Sequence, residues 1–358
     1  MEKYIKVGEA AKILNINTET LRRWDKAGKF LSVRHPINNY RVYSQSQMTA
    51  LVQELQLEFD YPDNIIIPLK KSFDPYFESG FGQLFNVEAV SYMKTLAPGS
   101  VNLIFADPPY NIKKAEWDTF SSQKEYVEWS MDWIKEAHRV LSNDGSLYIC
   151  GFSEILADIK WSASSLFKGC KWLIWFYRNK GNLGKDWGRS HESVLHFRKS
   201  EKFIFNIDKA RIPYNEHTLK YPKRIQAESS QFSNGKKNDY EWQPNPLGAK
   251  PKDVFEIPTI SNSAWEKTAH PTQKPVELLR RIILSSSNPD SLILDPFGGS
   301  GTTYAVAEAY QRKWIGTELH IPYCDVIKER ITDANHIKRI LTRKDEEESV
   351  KRRLKLRG

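Results

Sequence analysis

Leu292-Ile293-Leu294-Asp295-Pro296-Phe297-Gly298-Gly299-Ser300-Gly301-Thr302-Thr303 runs from an apolar strand into a glycine loop and, from near Thr302, into a helix. Glycines let the backbone approach a ligand closely and adopt positive φ at the point where doubly wound sheets bind nucleotides. The spacing is neither that of a P-loop nor GxGxxG, and no Lys follows the last glycine, so phosphate cradling fits poorly. The next strand, Lys313-Trp314-Ile315-Gly316-Thr317-Glu318, ends in an acid about 20 residues beyond the loop, the offset at which dinucleotide folds hold a ribose diol. Glu318 is therefore the candidate for ribose hydroxyls; the plainer alternative is a solvated strand end.

A second stretch stands far upstream. The apolar run Val101-Asn102-Leu103-Ile104-Phe105-Ala106 reads as a buried strand, and Asp107-Pro108-Pro109-Tyr110 follows it directly. That places a carboxylate, a rigid turn and an aromatic ring at a strand's carboxyl end. The set suits chemistry on a flat, amino-bearing base: the Asp and a neighbouring carbonyl accept hydrogens from the exocyclic amine while the ring stacks on the base. A tetrapeptide alone could be only a turn. It gains meaning from the glycine loop that shares the chain.

Together these motifs resemble the amino-group DNA methyltransferases that use S-adenosylmethionine. Asp107 to Tyr110 corresponds to their catalytic block and Asp295 to Thr303 to their cofactor loop. His270-Pro271-Thr272-Gln273-Lys274-Pro275 matches a further block whose members contact the methionine end of the cofactor. The catalytic block precedes the cofactor block, the order of the permuted β group, and the resemblance spans about Gly82 to Ala334. It implies a Rossmann-like fold and a cofactor site made of His270, Thr272, Lys274, Asp295, Phe297, Gly298, Gly299, Ser300, Gly301, Thr302 and Glu318. Lys274 suits the cofactor carboxylate and Phe297 its adenine, whereas His270, a lone His beside a proline, reads as structural.

Outward from the motifs, strand and helix alternate. Gly82–Phe85 reads as a strand and Val87–Leu96 as a helix; residues 123 to 141 carry Tyr126, Trp129, Trp133, Ile134, Ala137 and Val140 at helical spacing. Strand Gly145–Cys150, helix 153–167 and strands Trp172–Tyr177 and Ser193–Arg198 follow. The pattern predicts an α/β fold, a doubly wound, mainly parallel sheet with helices on both faces. The tryptophan stripe reads as core. Residues 199 to 268 break the alternation with interleaved basic and aromatic residues, and the resemblance makes this interval the target-recognition region. Asn182 to Arg189, just before it, adds a candidate DNA-facing loop, and a plain surface insertion is the alternative.

The first 57 residues read as a separate unit. Val7 to Leu14 has helical spacing, Asn15-Ile16-Asn17 turns the chain, and Thr18 caps a helix to about Lys26, with Ala10, Ala11, Ile13, Leu14, Ile16, Leu21 and Trp24 as core. Leu31 to Tyr43 reads as a hairpin turning at Asn38-Asn39, and Ser44-Gln45-Ser46-Gln47 fits a capping box. The unit resembles a MerR-type winged helix-turn-helix, which implies DNA contact through Arg22, Arg23, Arg34 and Arg41; a basic module for protein contacts is the alternative. Residues 58 to 81, punctuated by proline, read as linker, 82 to 334 as the catalytic domain and 335 to 358 as a charged tail.

Bulk properties fit these motifs. The chain has 358 residues, a formal charge of +9 and a pI near 9.2, consistent with a polyanionic partner. Cys150, Cys170 and Cys324 lack CxxC spacing, so a zinc site or disulfide is not expected, nor is any metal. No apolar run approaches the ~20 residues a membrane span requires, and a cytoplasmic protein, monomeric or homodimeric, is the expectation. The resemblance implies methyl transfer to N6 of adenine in double-stranded DNA, with a cognate restriction endonuclease as a further partner. Two alternatives stay open: transfer to N4 of cytosine, and a DNA-binding regulator whose methyltransferase domain is inactive.

Overall fold

The computed structural model describes residues 4–14, 18–26, 28, 30–34, 41–44, 47, 48, 51, 73–111, 118–178, 185, 187–221, 224–226 and 238–342. The chain divides into two compact units, Met1–Ser72 and Phe73–Gly358.

In the first unit, β1 (Tyr4–Lys6), β2 (Val33–Arg34) and β3 (Arg41–Ser44) form an antiparallel sheet in the order β1-β3-β2 beside helices Val7–Ile13 and Thr18–Lys26. Ala10, Ala11, Leu14 and Leu21 are buried as the spacing predicts, joined by Ile5, Tyr43 and Met48, with Trp24 packed at the edge. Ser44 and Gln47 cap one another reciprocally, each backbone N–H donating to the other's side chain at 3.1 Å. The Asn38-Asn39 turn, Ile16 and the side chains of Ile13 and Arg34 lie outside the described residues.

The second unit carries β4 (Phe77–Glu78), β5 (Gly82–Phe85), β6 (Val101–Ala106), β7 (Leu141–Gly151), β8 (Gly169–Phe176), β9 (His191–Arg198), β10 (Arg224–Gln226), β11 (Asn238–Trp242), β12 (Val254–Glu256), β13 (Leu292–Asp295) and β14 (Lys313–Thr317). Nine of them make one sheet in the order β12-β8-β9-β7-β6-β13-β14-β5-β4. Every neighbouring pair is parallel except those made by β9 and by the edge strand β4. A central strand covered on both faces reads as a near-continuous apolar run, and β6 does, broken only by Asn102, whose Oδ1 accepts from Leu292 N at 2.9 Å. Leu103 and Phe105 enter one core with helices Val276–Ser286, Thr302–Ala309 and Ile321–Thr332. Ile104 and Ala106 enter the other with Ala89–Met93, Gln123–Val140 and Ser153–Ala163. Each large side chain so buried contributes about 1.5–3 kcal/mol. Trp133 is fully buried and Trp129 partly, which makes the tryptophan stripe core.

Several boundaries differ from the sequence reading. Phe73 to Phe81, assigned to the linker, belongs to this unit, because Phe77–Glu78 pairs with β5. Residues 335 to 341, assigned to the tail, continue the helix Ala334–Leu341, whose Ile340 is fully buried and whose His336 accepts from the Arg330 guanidinium at 2.9 Å. Within 199–268, β12 extends the main sheet alongside β8, and β10 and β11 form a separate antiparallel ribbon; residues 227–237 lie outside the described set. These short strands have too few residues to show a period.

The loop after β13 is set by close packing. A Cβ on Gly316 would lie 2.3 Å from Tyr304 Cζ, so only glycine lets the Tyr304 ring lie over β14, where it stacks on Trp314 at 4.8 Å. From there the Tyr304 hydroxyl donates to the Asp295 carbonyl at 2.8 Å. Gly301, at φ 69°, turns the chain into the helix Thr302–Ala309.

Three imidazoles are buried uncharged. Burial lowers His196 to about 3, aided by Arg198 and Lys171, and lowers His270 and His336 to about 4. Between pH 6.5 and these values the unfolded chain takes up protons that the native state refuses, so these groups make stability fall as pH falls. Asp295 and Glu318, both raised chiefly by burial, act in the opposite direction. Comparing His196→Gln with the parent cancels those terms. In urea unfolding, the variant's stability should fall less than the parent's between pH 6.5 and 4, by up to about 1.4 kcal/mol per pH unit.

Candidate active site

β6 and β13 lie side by side and parallel, with Leu103 opposite Ile293 and Ile104 opposite Leu294. Their carboxyl ends, Asp107-Pro108-Pro109-Tyr110 and the loop from Asp295, therefore emerge on one edge of the sheet. The crevice between them is a topological switch point, since the chain runs from β6 outward to β7 on one side and returns to β13 on the other.

Lys274 ties the two blocks together. Its ammonium lies 2.7 Å from Asp107 Oδ2 and 3.5 Å from Glu192 Oε2, and its main-chain carbonyl accepts the Thr302 hydroxyl at 2.9 Å. Burial works to discharge the lysine, but Asp107 and Glu192 prevail and hold its pKa above the usual lysine range. The Tyr110 hydroxyl donates to Asp107 Oδ1 at 2.7 Å and lies 3.2 Å from Glu192 Oε2; burial and the two carboxylates keep the phenol protonated. Lys274, expected from its motif to suit the cofactor carboxylate, has a side chain that is 7% exposed and faces two acids.

The turn itself is held by residues that the motif does not announce. Asp118 Oδ1 accepts the backbone N–H groups of Tyr110 and Asn111, each at 2.7 Å, and the Tyr126 hydroxyl donates to the Pro109 carbonyl at 2.5 Å. Asn111 sits at φ 56°, and its side chain accepts from Phe120 N. The Tyr110 ring meets Phe152 edge-on at 5.1 Å, and the Arg189 guanidinium caps Phe152 at 3.9 Å. Arg189 ends the stretch read as a DNA-facing loop; residues 181–184 and 186 lie outside the described set.

On the loop side, Asp295 accepts from Phe297 N at 3.0 Å and from the Thr303 hydroxyl, which fixes the turn. Gly298 N donates to the Thr317 carbonyl and Gly299 N to Glu318 Oε2, the latter at 2.8 Å; Glu318 Oε1 accepts from His320 N. Arg330, 4% exposed, donates through Nη1 to the Ser300 carbonyl and to Thr302 Oγ1. Phe297 packs on Trp129 and Trp133. His270 is buried against Tyr323, with Nδ1 accepting from Thr272 N at 3.3 Å.

Around Lys274 acids outnumber bases: Asp107 and Glu192 are set against its single ammonium, while Asp295 is pushed toward its neutral form by burial and then by Asp107 and Glu318. Such a site fits a cationic ligand. Among the described residues no cluster of His, Cys, Asp and Glu could hold a metal ion, and no helix is long and apolar enough to cross a membrane.

Of the residues tied to DNA contact by sequence, Arg22 and Arg23 are exposed on Thr18–Lys26, with Arg22 paired to Glu19 at 3.1 Å. Arg41 is committed within its own unit. It pairs with Asp25 at 2.8 Å, and Asp25, lowered first by the Ser32 backbone N–H, braces the turn between helix and wing.

Comparison with known proteins agrees with this geometry. A family model described as DNA methylase, of the N6/N4 type, matches residues 101–329, and one described as MerR family regulatory protein matches residues 6–43. The DNA adenine methyltransferase YhdJ of Escherichia coli is 36% identical over 256 residues, covering 70% of this chain and 82% of the relative. The type II methyltransferase M1.MboII of Moraxella bovis is 35% identical over 251 residues, covering 66% and 89%. The solved PvuII DNA methyltransferase, cytosine-N4-specific, superposes with a TM-score of 0.56 at 20% identity, over 75% of this chain and 96% of that one, and shares the fold.

Proposed function

The chain belongs to the N6/N4 DNA methylase family, and from that premise we propose that it transfers a methyl group from S-adenosylmethionine to the N6 amine of adenine in double-stranded DNA. The observation that carries this is the parallel pairing of β6 with β13, which sets the Asp107 turn beside the glycine loop with Lys274 between them.

Bound in the crevice, S-adenosylmethionine supplies a methyl group on a sulfonium already activated as a leaving group. The chain's residues do the rest. Glu318, just past the end of β14, would hold the ribose hydroxyls, and the Asp295–Thr303 turn would hold the loop backbone close to the cofactor. The carboxylates around Lys274 favour a sulfonium's positive charge. Adenine's N6 lone pair is delocalised into the ring, so the amine must become more tetrahedral. Asp107 and the Pro108 carbonyl accept hydrogen bonds from its two N–H groups, which directs the lone pair toward the methyl carbon for in-line displacement; the N–C bond forms as the C–S bond breaks, and the methylated amine then gives up one proton, by way of Asp107, to solvent. Pro109 fixes the turn so that the Tyr110 ring can stack on a base rotated out of the duplex, a step costing a few kcal/mol. Adenine is preferred because Asp opens the motif, as it does in N6-directed members of the family. The relatives named type II methyltransferases support a place in a restriction-modification system with a cognate endonuclease.

The first unit adds duplex affinity through Arg22 and Arg23. Deleting residues 1–57 should weaken DNA binding and flatten its salt dependence while S-adenosylmethionine affinity stays within about twofold. Titrations at two or more salt concentrations read this, and unchanged DNA affinity would assign the unit to another contact. The overall proposal is tested by sequencing modified bases in DNA from cells expressing the chain. N6-methyladenine at one recurrent sequence supports it, and absence of any new modified base refutes it.

A further inference from the structure

We propose that Glu192 is a positioning residue for this reaction, acting as the second acceptor for the two donors that occupy Asp107, and receiving both when the target amine engages Asp107. The inference rests on the methyl-transfer reading above. In the structure both Asp107 oxygens are already in use, Oδ1 by the Tyr110 hydroxyl and Oδ2 by the Lys274 ammonium. An amine that must have its hydrogens drawn toward Asp107 competes with these two donors. One atom, Glu192 Oε2, stands in reach of both, 3.2 Å from the Tyr110 hydroxyl and 3.5 Å from Lys274 Nζ.

This position follows from the topology. β9 runs antiparallel to its neighbours, so its first residues, with Glu192 opposite Trp175 and Ser193 opposite Gly151, lie at the edge where β6 and β7 end. Glu192 is therefore brought to the crevice by the strand's reversed direction. Its side chain is 12% exposed, which leaves little water to replace a lost partner. With a carboxylate on either side, Lys274 can yield Asp107 to the incoming amine without becoming a buried, unpaired cation. The phenol keeps an acceptor in the same way as its ring moves to meet the base.

The test uses the full chain, as wild type, Glu192→Gln and Glu192→Asp, with tritiated S-adenosylmethionine and genomic DNA free of methylated bases. Gln keeps the size and one acceptor but loses the charge; Asp keeps the charge. In single turnover, Glu192→Gln should slow transfer about 10- to 100-fold, the scale of one charge-assisted hydrogen bond, with donor and DNA dissociation constants within about threefold of wild type. Glu192→Asp should recover most of the rate. Independently of turnover, the Lys274 15Nζ resonance should shift when DNA and an unreactive donor analogue are added to wild type, and stay in place in Glu192→Gln. Equal rates for wild type and Glu192→Gln would overturn the inference. So would a loss shared equally by Gln and Asp together with a lowered Tm, which marks a purely structural role. If Glu192→Gln does not fold, the Asp variant and the wild-type lysine signal decide. A wild type that transfers no label refutes the methyl-transfer reading itself, which separates the two failures.

Discussion

Asp107→Ala should lower single-turnover methyl transfer by at least about 10³-fold, with S-adenosylmethionine bound as tightly as by the wild type. Losing one preorganised electrostatic contact at a reacting group costs about 10²–10³ in rate. Here the lost group is also the acceptor that localises the nucleophile's lone pair. The fold should tolerate the change, because Lys274 retains Glu192 at 3.5 Å and is not left alone as a cation. The Pro109 carbonyl is still held by Tyr126 and the turn by Asp118. Fluorescence of 2-aminopurine at the target position should still report a base leaving the duplex. Retained transfer in this variant would remove Asp107 from the chemistry, whatever its effect on binding.

Lys274→Met should act mainly on stability, lowering it by about 3–5 kcal/mol, the cost of removing one partner from a buried ion pair. The lysine is 7% exposed and is shared by two acids that are 19% and 12% exposed. Without it, Asp107 and Glu192 face one another across the Tyr110 hydroxyl, which donates to the first and lies 3.2 Å from the second. The loop's bond from Thr302 goes to the Lys274 main chain and survives the substitution. Adding Glu192→Gln to Lys274→Met should return part of the loss, since one of the stranded charges is then gone. Thermal or urea unfolding of the single and double variants measures this. If Lys274→Met is as stable as wild type, the ion-pair cluster does not hold the two blocks together.

The motifs were legible in sequence because their chemistry is contiguous. Asp107 to Tyr110 and Asp295 to Thr303 each follow a short apolar run, and a strand ending at a turn needs only local information to be read. Their adjacency was not local, and it appears only in the pairing of β6 with β13. Glu192, Arg330 and Asp118 escaped notice for that reason, and Tyr126 was read only as part of a helix's apolar face. Each stands alone in an otherwise ordinary strand, helix or loop, and reaches the site through the topology. The run around Ser193–Arg198 read as a strand, yet nothing in its alternation gives direction, and the reversed direction is what carries Glu192 to the crevice. Lys274 was placed near the cofactor by its motif, while its pairing with Asp107 depends on a residue 167 positions away. Arg41 was assigned to the DNA face by its place in the winged-helix resemblance; its pairing with Asp25, part of the adjoining helix motif, depends on the fold.

The most direct test of the shared crevice is transfer of tritium from methyl-labelled S-adenosylmethionine to unmodified duplex DNA, followed by nucleoside analysis of the product. The account predicts label in N6-methyladenine, abolished by Asp107→Ala. Label in N4-methylcytosine, or a folded wild-type chain that binds donor and duplex and moves no label, would contradict it.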